Sequence, residues 1–168
     1  MTYKILFLCT GNSARSIFSE YLSRRKSADR FQAFSAGSHP TGRVNPLAIR
    51  VLNENYGIDA SDARSKPWTE FENVEFDFVI TVCDNARESC PVWPGQPIIA
   101  HWGVADPALA EGTDEERIRQ FRCAAQVLDY RIGLFSALPL EKLDRLRLTK
   151  ATEDIGKMTT PAPVKTTE

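Results

Sequence analysis

The chain has 168 residues, of which 42% are hydrophobic and 26% are charged, and its formal net charge is -1. This length and composition predict a single soluble globular domain, and the balanced charge gives no basis for binding nucleic acid or a membrane surface. No apolar run approaches the roughly 20 residues of a membrane span, and the N-terminal run is too short for a secretory signal, so we expect a cytoplasmic location.

Strand and helix signals alternate along the chain. Short β-prone apolar runs indicate strands, and apolar residues three and four positions apart indicate helices. Such alternation predicts an α/β fold, in which a parallel sheet carries helices on both faces. In chain order, the predicted elements are a strand at 3–8, a helix at 14–25, a strand at 31–36 closed by Gly37, a helix from Asn45-Pro46 to Gly57, strands at 76–82 and 97–100, a helix capped by Thr113 and Glu116, and a helical stretch at 139–156.

The domain boundary is expected near the C-terminus. Residues 1–156 carry all the predicted elements and are expected to form one domain. The remainder, residues 157–168, reads KMTTPAPVKTTE, which is polar, contains proline and has no periodicity. This composition predicts a flexible tail.

The loop after the first strand has the composition of an oxyanion site. It joins a strand to a helix, so its backbone N–H groups and the helix dipole can point at a tetrahedral anion. Gly11 and Asn12 tolerate the left-handed conformations that a tight cradle needs, and Arg15 offers a planar fork for two oxygens. The predicted oxyanion ligands are Thr10, Gly11, Asn12, Ser13, Ala14, Arg15 and Ser16.

Cys9 opens this loop and is the predicted nucleophile. The positive potential of the loop is expected to lower the pKa of Cys9 and favour its thiolate. Ser13 and Ser16 are candidates to donate hydrogen bonds to that thiolate. The spacing C-x5-R is weak by itself, because four cysteines and 21 basic residues make a chance match common. The alternative is that Cys9 is a small buried hydrophobe and Arg15 a solvated residue.

Two further strand ends are expected at the same edge of the sheet. In parallel sheets, the ligand site lies beyond the carboxyl ends of the strands. Cys83 follows the strongest predicted strand, and Asp106 lies in the loop after the last one. When a thiolate attacks a tetrahedral oxyanion, the leaving oxygen must be protonated, and Asp106 is placed to do this. The alternatives are a core cysteine and an ordinary turn aspartate before Pro107.

Four motifs of the chain are C-T-G-N-S-x-R-S, FSAGSHP, TVCDNARESCPVWPG and HWGVADP. Together they resemble the motifs of the arsenate reductases built on the low-molecular-weight tyrosine phosphatase fold. The resemblance covers about residues 3–137. It implies a four-stranded parallel sheet of order 2-1-3-4 with helices on both faces. It also implies that Cys9 attacks arsenate or a phosphate-like oxyanion, with Arg15 binding its oxygens and Asp106 as the acid.

The resemblance further implies a relay of thiols. Cys83 attacks Cys9 and releases arsenite, and Cys90 then attacks Cys83, which leaves a disulfide for a thiol reductant. Thioredoxin is the expected reductant, with glutaredoxin and glutathione as the alternative. A regular helix would place the Cα atoms of residues 83 and 90 about 10.5 Å apart at ~1.5 Å per residue, whereas a disulfide needs them within about 7 Å. The segment is therefore expected to refold on oxidation.

Two departures from the family pattern concern the loop. Many relatives have a second cysteine where this chain has Ala14. Relatives that bind potassium use positions that match Asn12, Glu20 and Ser35, but their further acidic ligand has no assigned counterpart. A structural potassium site is therefore left open, and no tightly bound cofactor or metal is expected.

Other functions remain open from the sequence. A low-molecular-weight tyrosine phosphatase would hydrolyse phosphoesters through a phosphorylated Cys9 with the same loop and acid. Such enzymes usually have aromatic residues after the acid and proline, where this chain has Ala108-Leu109. A non-catalytic module that senses oxyanions or thiols would not need Asp106. Neither Cys123 nor the two histidines, His39 and His101, is assigned chemistry.

Overall fold

A computed structural model describes residues 1–159 of the chain. At its centre is a parallel four-stranded sheet in the order β2-β1-β3-β4, which confirms the predicted α/β fold and strand order. The strands are β1 (Tyr3–Cys9), β2 (Phe31–Gly37), β3 (Phe78–Thr81) and β4 (Ile98–His101). The helices are α1 (Arg15–Ser27), α2 (Pro46–Tyr56), α3 (Asp84–Ser89), α4 (Asp114–Ser136) and α5 (Arg145–Ile155).

Helix ends follow the local signals in the sequence. The Asn45 side chain accepts a hydrogen bond from the Leu47 N–H at 2.9 Å, and Gly57 closes α2 with a φ of 63°. At the start of α4, Thr113 and Glu116 form the predicted capping box. These ends were predictable because each depends on residues only a few positions apart.

The structure shortens two predicted elements. The strand expected at 76–82 is reduced to β3, although the Val82 N–H still bonds the Leu8 carbonyl at 2.8 Å. The helical stretch expected at 139–156 begins with a single 3-10 turn, and α5 starts only after Asp144, whose side chain accepts from the Arg147 N–H. Of the predicted tail, residues 160–168 lie outside the described part of the chain.

Both faces of the sheet are covered by apolar packing. Phe31 and Phe34 lie three positions apart on β2, so their side chains point to opposite faces. Phe31 packs on Phe135 of α4 with ring centroids 4.9 Å apart, and Phe34 packs on Phe71 at 5.5 Å. The central strand β1 is buried from Ile5 to Cys9. Such two-sided burial is typical of a parallel sheet.

The four strands end at one edge of the sheet. Cys9 is paired with Gly37, Leu8 with Thr81, and Thr81 with His101. The loops that follow these strands therefore emerge side by side. Among the described residues, no helix is both long and apolar enough to cross a membrane.

Candidate active site

The loop between β1 and α1 is held by its carbonyl groups. The segment 38–45, which follows β2, donates backbone N–H bonds to these carbonyls. Since the carbonyls face that segment, the N–H groups of the loop face the other way, and the Asn12 N–H donates to Cys9 Sγ at 3.1 Å. The anchoring bonds run from Ser38 to Cys9 at 3.1 Å, from His39 to Thr10 at 2.9 Å, from Thr41 to Gly11 at 3.0 Å and from Asn45 to Ser13 at 2.9 Å.

The conformation of the loop departs from one expectation. Asn12 has a φ of 46°, whereas Gly11 is absent from the positive-φ residues of the described chain. A Cβ atom at Gly11 would lie 3.1 Å from Thr41 Cγ2, so close packing explains this glycine better than a left-handed conformation. A Cβ atom at Gly37 would lie 2.5 Å from the Thr10 carbonyl oxygen, so the strand end also needs glycine to approach the loop.

The N-terminus of α1 is left open for an anion. Ala14 stands at the capping position, where serine, threonine, asparagine or aspartate usually caps the helix with its side chain. No side-chain cap is formed, and the first turn of this 13-residue helix carries no acidic residue. The N–H groups and the positive end of the helix dipole are therefore directed at whatever the loop binds.

Cys9 lies at the base of this loop and is only 3% exposed. Its Sγ is 2.8 Å from Ser16 Oγ. Burial raises the pKa of the Cys9 thiol above its usual value, while the hydrogen bonds from Ser16 and from the Asn12 N–H lower it. The predicted lowering of the Cys9 pKa is therefore wrong in its net direction, because the desolvation of a thiolate outweighs the donors that surround it.

Only one of the two candidate serines reaches the thiol. Ser16 Oγ accepts a hydrogen bond from Asn12 Nδ2 at 2.8 Å, and it can donate its own proton to Cys9 Sγ when Cys9 is a thiolate. Ser13 holds the loop through its backbone carbonyl instead, which accepts from the Asn45 N–H. The role expected of both serines thus falls on Ser16 in the described structure.

Replacing Ser16 by alanine is expected to slow alkylation of Cys9 by iodoacetamide about tenfold at neutral pH. Loss of the donor raises the pKa of Cys9 further and lowers its thiolate fraction at neutral pH, since a hydrogen bond to a charged group contributes about 1.5–3 kcal/mol. Pseudo-first-order labelling followed by mass spectrometry measures the rate, and Ser13→Ala is the matched comparison. Equal rates in Ser16→Ala and the unaltered protein would contradict the assigned role of Ser16.

Arg15 and Asp106 meet at the mouth of the loop. Arg15 Nη2 lies 3.5 Å from Asp106 Oδ2, and Arg15 Nη1 donates to the Val104 carbonyl at 3.0 Å. The other carboxylate oxygen of Asp106 accepts from the Ala108 N–H at 3.0 Å. Asp106 therefore caps a turn, as the structural alternative proposed, and also presents an oxygen beside the guanidinium.

A cleft of about 620 Å³ opens over this group. Thr10, Arg15, Cys83 and Asp106 are among its lining residues. Cys83 is 4% exposed, and its Sγ lies 3.3 Å from Thr10 Oγ1. Thr10 follows Cys9 directly in the sequence. The structure thus brings together the loop, Cys83 and Asp106 from three different strand ends.

Cys90 is not brought to this cleft. Cys83 precedes α3 and Cys90 follows it, and Cys90 lines a second cleft of about 420 Å³. Cys90 is half-buried, and burial raises the pKa of its thiol. All four cysteines are free thiols, and Cys123 is exposed. The α3 segment therefore separates the two thiols that the family resemblance pairs.

His101 was assigned no chemistry, yet it connects three elements at the site. Its Nδ1 lies 2.7 Å from Thr81 Oγ1 at the end of β3, and its Nε2 lies 2.9 Å from Asp84 Oδ1 at the start of α3. The imidazole thus ties the segment between the two thiols to the sheet edge. The only sequence signal for this position was its place at a strand end.

The three residues that match a potassium site surround a lysine. Lys66 Nζ lies 3.1 Å from Ser35 Oγ, 3.4 Å from Asn12 Oδ1 and 3.5 Å from Glu20 Oε2. An ammonium group has donors and no acceptor, so it cannot act as a metal ligand. As arranged, these residues do not fit a potassium ion. Sequence reasoning missed Lys66, because its contacts come from distant parts of the chain.

Comparisons with known proteins agree on one family. The family described as "Low molecular weight phosphotyrosine protein phosphatase" matches residues 4–142. An arsenate reductase of Shouchella clausii is 39% identical over 141 residues, which cover 81% of this chain and 97% of that protein.

Solved structures give the same result. An arsenate reductase in the phosphate-binding state superposes with a TM-score of 0.68 at 29% identity, and covers 82% of this chain and 98% of its own. A thioredoxin-dependent arsenate reductase of Corynebacterium glutamicum superposes with a TM-score of 0.56 at 29% identity, and covers 79% of this chain and 63% of its own.

Proposed function

This chain belongs to the low molecular weight phosphotyrosine protein phosphatase family, and we propose that it is an arsenate reductase of that family. The observation that carries the proposal is the position of Cys83, which lies in the oxyanion cleft beside the loop that Cys9 opens. A phosphatase needs one thiol and a water molecule, whereas a reductase needs a second thiol within reach of the first. Relatives named arsenate reductase support the same assignment.

In the first proposed step, arsenate binds in the loop and becomes covalently attached to Cys9. The loop N–H groups and Arg15 hold its oxygens. The Cys9 thiolate forms a sulfur–arsenic bond, and one arsenate hydroxyl leaves as water after Asp106 protonates it. Since burial raises the pKa of Cys9, the hydrogen bond from Ser16 is needed to stabilise the thiolate that attacks.

In the second proposed step, arsenic is reduced. The Cys83 thiolate attacks Cys9 Sγ, which forms a sulfur–sulfur bond and breaks the sulfur–arsenic bond. The bonding pair remains on arsenic, so arsenic(V) gains two electrons and leaves as arsenite, while the two thiols become a disulfide. The approach of Cys83 to Thr10 Oγ1, at 3.3 Å, supports an attack from this side.

The third proposed step requires α3 to unfold. Cys90 attacks Cys83 and frees Cys9 as a thiolate, so the disulfide moves to residues 83 and 90. The six residues between Cys83 and Cys90 form α3 in the described structure. Cys83 lines the cleft of about 620 Å³, whereas Cys90 lines the cleft of about 420 Å³. So short a helix holds few internal hydrogen bonds, and Pro91 follows Cys90 directly. Both features favour the opening that a disulfide geometry demands.

Thioredoxin is the proposed reductant of the final disulfide, in the cytoplasm. The likeness to a relative described as thioredoxin-dependent supports it, and glutathione with glutaredoxin is the alternative. Arsenate-dependent NADPH oxidation, coupled to thioredoxin and thioredoxin reductase or to glutaredoxin and glutathione reductase, tests the proposal. Turnover with the first pair is expected, whereas the absence of arsenate-dependent turnover with both would reject the function.

Replacing Asp106 by asparagine is expected to lower kcat for arsenate reduction about 10²- to 10⁴-fold, which is the usual contribution of general acid catalysis. Phosphate binding should persist, because Arg15 and the loop remain. Rapid-quench measurement of arsenite in a single turnover reports the chemical step. A non-catalytic oxyanion sensor does not need this carboxyl, so an unchanged rate in Asp106→Asn would contradict its role as an acid.

Phosphoester hydrolysis is the second candidate function, because the family is named for it and the loop chemistry is shared. The structure weakens it in one respect. Among the described residues, the lining of the 620 Å³ cleft includes no Phe, Tyr or Trp, and Leu109, which follows the acid loop, is 77% exposed. A phenol ring would therefore find no Phe, Tyr or Trp ring in this lining to stack against.

A further inference from the structure

A buried ammonium group lies beneath the oxyanion loop. The Lys66 side chain is 8% exposed, and its Nζ is 3.5 Å from Glu20 Oε2, which belongs to a side chain that is 5% exposed. Three further oxygens accept from this ammonium, which has three protons to donate. They are Ser35 Oγ at 3.1 Å, the Arg64 carbonyl at 3.2 Å and Asn12 Oδ1 at 3.4 Å. The charge is thus both paired and hydrogen-bonded, as a buried charge must be.

Lys66 also determines the orientation of Asn12. Both its backbone N–H, at 3.0 Å, and its Nζ donate to Asn12 Oδ1. The amide nitrogen of Asn12 must therefore point away from Lys66, and it donates to Ser16 Oγ at 2.8 Å and to Ser35 Oγ at 3.0 Å. Ser16 Oγ lies 2.8 Å from Cys9 Sγ, and it is the donor of that bond when Cys9 is a thiolate, which has no proton of its own. A chain of donors with a single direction thus runs from Lys66 to the nucleophile.

We propose that the Lys66 ammonium is the resident cation of this loop, in the place of a bound potassium ion, and that it positions Asn12 and Ser16 toward Cys9. The oxygens that an alkali cation would need are those that the ammonium already uses. A second positive charge within about 4 Å of the first would also be repelled. The loop is therefore expected to need no added alkali cation.

This proposal requires that the loop bind an oxyanion, but it does not require arsenate reduction. The two can therefore be tested separately, with inorganic phosphate as the probe of the loop and with thermal unfolding as a probe that needs no ligand. Absence of arsenate turnover, combined with potassium-independent phosphate binding, would reject the proposed function and leave the role of Lys66 intact.

The experiment compares the unaltered protein with Lys66→Met and Lys66→Asp. Each is measured in potassium chloride and in choline chloride at equal ionic strength, by thermal unfolding and by calorimetric titration with inorganic phosphate. Lys150→Met is the matched control, because Lys150 is 78% exposed and pairs only with the nearby Asp154 among the described residues. The rate of iodoacetamide labelling of Cys9 at constant pH reports whether the hydrogen bonds from Lys66 through Asn12 and Ser16 still stabilise the Cys9 thiolate.

For the unaltered protein we expect the same melting temperature and the same phosphate affinity in both salts. Lys66→Met removes the ammonium from Glu20 Oε2, while Arg24 still pairs with Glu20 Oε1, so its melting temperature should fall by several degrees. Phosphate binding and Cys9 alkylation should each weaken about tenfold, and potassium should not restore them, because a thioether is a poor ligand for a hard cation. Lys150→Met should match the unaltered protein.

Lys66→Asp supplies an oxygen ligand in place of the ammonium, which converts the cluster into a site for an alkali cation. We expect this variant to be unstable in choline chloride and to recover in potassium chloride, by several degrees in melting temperature and at least about threefold in phosphate affinity. If Lys66→Met fails to fold, the recovery of Lys66→Asp in potassium chloride still tests the proposal.

Three results would overturn the proposal. One is a several-fold gain in phosphate affinity when potassium is added to the unaltered protein. Another is unaltered phosphate binding and Cys9 labelling in folded Lys66→Met. The third is equal behaviour of Lys66→Asp in the two salts.

Discussion

Cys9→Ser is expected to lower kcat/KM for arsenate by at least about 10⁴-fold, which is typical of removing a nucleophile. A serine hydroxyl in the same buried position ionises far less readily than a thiol, and it cannot form the disulfide that releases arsenite. Arsenate-dependent NADPH oxidation with thioredoxin and thioredoxin reductase measures the loss. Phosphate should still bind, since the loop N–H groups and Arg15 are unchanged.

The matched control for this substitution is Cys123→Ser. Cys123 lies on α4 and is exposed, far in sequence from the loop and outside the 620 Å³ cleft. The control should retain full activity. Residual activity of Cys9→Ser within tenfold of the control would show that another group attacks arsenate, and it would remove the basis for the relay.

Cys83→Ser and Cys90→Ser are expected to stop the reaction at different stages. Without Cys83, the arsenic–sulfur adduct on Cys9 has no resolving thiol, so a single turnover should release no arsenite. Without Cys90, the first disulfide can form, so one equivalent of arsenite per enzyme should appear. Steady-state turnover with thioredoxin should fall at least about 10³-fold in both, because nearly all transition-state stabilisation for thiol exchange depends on the missing thiol.

Single-turnover assays of arsenite and mass spectrometry of the enzyme separate these stages. Cys90→Ser should accumulate a Cys9–Cys83 disulfide. Full steady-state activity of Cys90→Ser with glutathione and glutaredoxin would instead indicate that glutathione resolves the intermediate. A burst of arsenite from Cys83→Ser would contradict the proposed second step.

The unaltered protein, in its reduced and oxidised forms, tests the refolding of α3. Amide hydrogen exchange over residues 83–95 should be faster in the oxidised protein, because a disulfide between residues 83 and 90 cannot span an intact helix. His101 Nε2 lies 2.9 Å from Asp84 Oδ1 at the start of this helix. Refolding of the helix should break this contact, so the amide of Asp84 should also lose protection from exchange. Indistinguishable exchange in the two redox states would argue against refolding.

The fold was largely predictable from short-range features of the sequence. β1 is an unbroken apolar run, and the caps at Asn45 and Thr113 involve residues two and three positions away. A parallel sheet then places its strand ends at one edge. That rule alone predicts that Cys83 and Asp106 lie beside the loop of Cys9, and both line the cleft there.

The site depended on contacts that no local pattern contains. Lys66 is 54 residues from Asn12 in the chain, and its side chain is buried only because the segment around it folds under the loop. The pKa of Cys9 was predicted in the wrong direction for a related reason. Its donors are local, at Asn12 and Ser16, whereas the burial that outweighs them comes from the whole fold.

The sequence by itself determined the class of fold, the edge of the sheet where the chemistry lies, and the side chains able to perform it, because strand patterns, caps and strand–loop motifs depend on neighbours along the chain. The tertiary structure decided which serine reaches the thiol, how Cys90 is separated from Cys83, and which group supplies the charge beneath the loop. Desolvation and long-range hydrogen bonds govern these features, and both arise only when distant segments pack together.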